Sequence, residues 1–121
     1  MASEIKSYRD LKIWQKGIQL VKTVYVLTRK FPKSETFGLA SQMQRSAVSI
    51  PSNIAEGHAR QHTGEYRWFL HVALGSAAEL DTQTVIAYEL GYITKEELTG
   101  VQNDIAEIRK MTYSIISHLS D

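Results

Sequence analysis

In the stretch YRDLKIWQKGIQLVKTVYVLTRKF, apolar residues recur at Leu11, Trp14, Ile18, Val21 and Tyr25, with a parallel row at Ile13, Leu20, Val24, Leu27 and Phe31. Steps of three and four put both rows on one wide stripe of a helix, which Pro32 ends. A second run follows Ser34, read as an N-cap with Glu35 in the first turn. It passes through Phe37, Leu39, Met43, Ala47, Ile50 and Ile54 to Gly57, which suits a left-handed C-terminal cap. The third opens near Thr63 and carries Tyr66, Phe69, Leu70, Ala73, Leu74, Ala77, Leu80, Thr84 and Ala87 before Gly91. The fourth begins TKEEL, where Thr94 and Glu97 have capping-box spacing, and its seam runs through Leu98, Val101, Ile105, Ile108, Thr112, Ile115 and Leu119.

The spacing thus predicts helices over about 8–31, 35–57, 63–90 and 94–119, each about 33 to 42 Å long at the helical rise. No alternating strand pattern competes with them. Similar lengths and short connections predict an all-α, antiparallel up-down four-helix bundle over residues 8–121, preceded by a flexible tail over 1–7.

Pro51 interrupts this regularity. In a continuous helix it leaves the Ala47 carbonyl without a donor and pushes against it, at a cost of about 3 kcal/mol if nothing compensates. Two readings are open. One helix ends near Ala47 and another starts with Ser49 as its cap, or a single helix continues through Pro51 with a kink. The apolar positions 43, 47, 50 and 54 keep phase through the proline, which favours the kinked second helix.

The same helix carries a polar row: Gln42, Arg45, Ser46, Ser49, Asn53 and Glu56, with Arg60 beyond. One reading is an ordinary solvated face. Short hydroxyl and amide groups in place of Lys and Glu also let another helix approach closely and hydrogen-bond, so the row is a candidate oligomer interface. Glu79 and Asp81 are candidate acidic partners for Arg45 or Arg60 across it.

The stretches YRDLKIWQKG, FPKSETFGLASQMQRSAVSIPSNIAEGHAR, WFLHVALGSAAEL and LGYIT, in this order, resemble the bacterial four-helix bundle family of proteins encoded in intervening sequences of 23S ribosomal RNA genes. The segment SIPSNIAEG is the most specific part, and the resemblance covers roughly residues 8 to 119. It implies a four-helix bundle assembled as a homopentameric ring. It also implies similarity to the accessory protein of diversity-generating retroelements, a pentameric bundle that engages nucleic acid and a reverse transcriptase. For most members the resemblance supplies neither a catalytic activity nor a natural partner.

Composition narrows the chemistry. With 121 residues, 43% apolar and 22% charged, the chain has the make-up of one globular domain. No cysteine is present, which removes disulfides, thiolate zinc sites and thiol nucleophiles and fits a reducing cytoplasm. No signal core and no run of about 18 apolar residues occurs, so a soluble cytoplasmic protein that does not enter a membrane is expected.

The net charge of +1 conceals a split. Residues 1–67 hold 11 Lys/Arg against 5 Asp/Glu, and residues 68–121 hold 3 against 8. A basic half facing an acidic half suggests either a polyanion-binding surface or head-to-tail attraction between copies.

Lys12, Lys16, Lys22, Arg29 and Lys30 stud the first helix, and Arg60 and Arg67 lie among aromatics in HARQHTGEYRWFLH. These seven are the candidate contacts to RNA or single-stranded DNA, through phosphates and stacked bases. The competing reading makes Tyr66 and Phe69 core residues and the lysines mere solubilisers. No phosphate loop, nucleophile elbow or di-iron Glu-x-x-His motif occurs, so no catalytic residue and no cofactor is expected. Glu56, His58 and His62 could approach a metal, but a helix break at Gly57 gives them no shared face, and no metal site is expected.

Overall fold

A computed structural model describes residues 4–119. Four helices form the chain: α1 (Lys12–Thr28), α2 (Leu39–Arg60), α3 (Thr63–Glu89) and α4 (Lys95–His118). The described residues contain no strand, and the fold is an all-α four-helix bundle.

Of the tail expected over 1–7, residues 1–3 lie outside the described residues. The Lys6 and Ser7 amides donate to Asp10 Oδ2 at 2.8 and 3.1 Å, forming a 3-10 turn over Tyr8–Asp10 ahead of α1. α1 then buries Ile13, Gly17, Leu20, Val24 and Leu27.

The start of α2 differs from the sequence reading. Ser34 does not cap it; residues Lys33–Glu35 form a separate 3-10 turn, and Glu35 Oε1 accepts from the Leu39 amide at 3.1 Å. The carboxylate thus serves the positive helix end from outside the helix. Its other oxygen accepts from the Tyr92 hydroxyl at 2.9 Å, which ties this start to the α3–α4 turn.

Pro51 lies within α2, which runs on as a single helix from Leu39 to Arg60. The proline ring sits against Gly17 of α1, where an added Cβ would stand 3.1 Å from Pro51 Cβ. Gly57 does not end the helix, as its position after the apolar run suggested. α2 continues one turn further and closes at Gln61 in the left-handed conformation, φ 60°.

α3 ends as expected before Gly91, whose φ of +80° suits glycine. The Tyr92 and Gly91 amides return to the carbonyls of Ala87 and Tyr88, each at 2.9 Å. At α4 the Thr94–Glu97 capping box forms in both directions.

α1 packs against α2 and α4, α3 packs against the same two, and among the described residues no Cα of α1 comes within 8 Å of one of α3. They therefore stand at opposite corners. Residue numbers rise on one helix as they fall on its neighbour: Gly17 meets Pro51 and Thr28 meets Gln44, while Lys16 meets Glu107 and Lys30 meets Glu97. The centre is filled by Ile13, Leu20, Met43, Ile50, Ile54, Leu70, Leu80 and Val101. Two buried threonines satisfy their hydroxyls on their own helices, Thr84 on the Leu80 carbonyl and Thr112 on that of Ile108. Among the described residues no helix is long and apolar enough to cross a membrane.

Candidate interaction surfaces

The hydroxyl-and-amide row of α2 divides. Ser46 is buried, and Ser49 and Asn53 are half-buried, because α3 of the same chain lies over them. Ser49 Oγ shares a hydrogen bond with Ser76 Oγ at 2.8 Å, and Asn53 Nδ2 donates to the Ser49 carbonyl and hydroxyl at 2.8 and 2.9 Å. Small side chains bring the two helices close, and the hydroxyls of each answer the polar groups of the other. Gly57 completes this contact: an added Cβ would stand 2.7 Å from Phe69 Cβ.

The other row members face outward. Gln42, Arg45, Glu56, Arg60 and Glu79 are exposed. Arg45, Gln42 and Glu79 share a depression of about 370 Å³ between α2 and α3, with Phe37 on its edge and Gln83 in its wall. Gln83 Oε1 is buried there without a partner, and Phe37 projects into water with 95% of its surface exposed.

Three of the seven candidate phosphate contacts are ion-paired within the chain. Lys16 pairs with Glu107 at 2.7 Å, Lys30 pairs with Glu97, and Arg60 pairs with Glu56 at 2.9 Å and with Glu65 at 3.7 Å. Hydrogen bonding to Glu56 raises the Arg60 guanidinium further above its usual pKa, and the side chain also lies over the Phe69 ring. Arg67 donates to the Leu119 carbonyl at 3.2 Å. Lys12, Lys22 and Arg29 are exposed and form no ion pair among the described residues. Tyr66 is half-buried, which pushes its phenol above the usual pKa. His58 packs edge-on to the Tyr66 ring, and no cluster of three or more metal-ligating side chains occurs among the described residues.

One surface has no counterpart in the sequence reading. α3 is apolar on two sides. Its inner row, Leu70, Ala73, Ala77, Leu80, Thr84 and Ala87, is buried. Opposite it, Trp68, Val72, Gly75, Glu79, Thr82 and Ile86 repeat the four-three spacing, with Trp68 61% and Ile86 42% exposed and Leu90 beyond them 54% exposed. Gly75, Glu79 and Thr82 interrupt this row, so its exposed apolar surface lies at Trp68, Ile86 and Leu90.

The model of the 23S rRNA-intervening sequence protein family matches residues 9–114. The chain belongs to that family. It is also similar to a solved structure from Bacteroides thetaiotaomicron VPI-5482, described as a protein of unknown function from the S23 ribosomal protein family. That likeness has a TM-score of 0.79 and 28% identity, over 86% of this chain and 97% of the other. No curated protein matches significantly.

In this member of the intervening-sequence family, exposed apolar side chains lie on the outer side of α3. The outer row of α3 was legible in principle, because the segment 68–94 contains no Lys or Arg to mark a solvated face. The stronger inner periodicity of the same helix masks it.

Proposed function

We propose that the chain is a non-catalytic, self-assembling four-helix scaffold. The observation that carries this reading is the outward face of α3, where Trp68, Val72, Ile86 and Leu90 give a soluble bundle a second apolar seam. Copies of one chain are the natural cover for such a seam, since symmetric self-association is the commonest way soluble proteins bury one. The family resemblance adds a ring of five, and the absence of cysteine fits work in a reducing cytoplasm.

Light scattering at micromolar concentration tests the reading: the wild-type chain should run as a multiple of its 13.7 kDa mass. Ile86→Lys and Trp68→Glu should reduce that mass while the helical content stays unchanged. A wild-type particle that remains a single subunit at high concentration would overturn it.

A second reading, nucleic acid as the partner, is favoured by Lys12, Lys22 and Arg29 along α1, exposed cations that form no ion pair among the described residues. The sequence resemblance to the retroelement accessory protein points the same way. Fluorescence anisotropy with single-stranded RNA and DNA separates the two: phosphate contacts require affinity to fall steeply with salt. Lys12→Glu should weaken such binding and leave the assembly intact. An absence of binding at low salt leaves the scaffold as a protein-interaction module alone.

A further inference from the structure

α1 carries an outward row with the same spacing as that of α3. Gln15, Ile18, Lys22 and Tyr25, with Arg29 at the C-cap, step by three and four along the side of α1 away from the buried Ile13, Leu20 and Val24. Tyr25 is 39% exposed and the neighbouring Val26 54%, so this row too is partly apolar. The α1 row spans about 21 Å and the α3 row about 27 Å at the helical rise. They stand at opposite corners of the bundle and cannot satisfy each other within one chain.

Their charges are opposite. Residues 11–34 contain six Lys/Arg and no Asp or Glu, whereas residues 68–94 contain Glu79, Asp81 and Glu89 and no Lys or Arg. Lys16 and Lys30 are taken up by α4, while Lys22 and Arg29 on the outer row form no ion pair among the described residues. Glu79 and Glu89 on α3 are likewise exposed and form no ion pair there.

We infer that the outer row of α1 in one copy docks on the outer row of α3 in the next, so that the subunits join head to tail. The inference rests on the self-assembly reading and names its two faces. Rotation about an axis along the bundle keeps the two helices running in the same sense, and aligning Gln15 with Val72 then sets Lys22 opposite Glu79. The same register sets Ile18 opposite Gly75, where open space leaves room for a side chain from the neighbouring helix, and brings Arg29 within a turn of Glu89. Two different faces at opposite corners generate a closed ring when the rotation closes.

The test uses two charge-reversed full-length chains, Lys22→Glu/Arg29→Glu and Glu79→Lys/Glu89→Lys, and a third that carries all four reversals. Each pair alone should lose at least tenfold in assembly affinity by sedimentation velocity, and the chain with all four should recover the wild-type particle. Reversing both faces restores attraction at every junction whatever the number of copies. Paired variants that assemble like the wild type, or a folded four-reversal chain that stays dissociated, overturn the two faces. A wild-type chain that is itself a single subunit overturns the self-assembly reading instead. Should a variant fail to fold, Ile18→Cys/Gly75→Cys in this cysteine-free chain gives the second measurement. Oxidation should produce a ladder of linked chains, and an assembled particle that yields no ladder overturns the register.

Discussion

Gly57 and Gln61 show how one residue type misleads when its neighbour in space is unknown. A glycine closing an apolar run reads as a helix cap, yet Gly57 lies inside α2 because Phe69 leaves no room for a Cβ. Gly57→Val should destabilise the fold by about 1–3 kcal/mol in urea melts, since neither backbone can retreat without opening the Ser49–Ser76 contact. The left-handed position falls instead on Gln61, which has a Cβ. Gln61→Gly should therefore raise stability by up to about 1 kcal/mol in the same melts. The cap lay outside the sequence reading because glutamine carries no signal for that conformation. The same limit applied to Ser46, Ser49 and Asn53: their chemistry was legible, but the helix that covers them was not.

At the scale of elements, local signals were read best. The Thr94–Glu97 box spans only three residues, so its spacing alone defines it. Thr94→Ala should cost about 1 kcal/mol in thermal unfolding. The α2 start was misread because its acceptor, Glu35, reaches it through a turn, and no capping template covers that path. Glu97 does two jobs. Its hydrogen bond with Lys30, aided by the Thr94 amide, holds its carboxyl below the usual glutamate pKa. A depressed folded pKa contributes stability that is present above the unfolded value and lost as pH falls through the folded one. Melting temperatures should therefore drop between about pH 5 and pH 2, with a shallower drop in Glu97→Gln.

Over the whole molecule, the charge split was plain in the sequence, but its use was not. The α1–α4 contact consumes Lys16 and Lys30 on Glu107 and Glu97. Only coordinates distinguish these from Lys22 and Arg29, which form no ion pair among the described residues. Because attraction between exposed charges is screened, raising salt from about 0.05 to 0.5 M should shift the proposed assembly towards single chains. Sedimentation velocity at fixed protein concentration measures the shift; an unchanged profile would leave the apolar contacts to hold the particle without electrostatic help.

The two glycines at which α2 touches its neighbours have a mechanical consequence. Gly17 admits Pro51 on one flank and Gly57 admits Phe69 on the other, so backbone bears on side chain with no compliant layer between. Close-packed interiors compress little and pass strain on. A load applied at the α3 corner therefore reaches the α1 corner through a stiff strut, and the bundle tilts as one piece instead of bending.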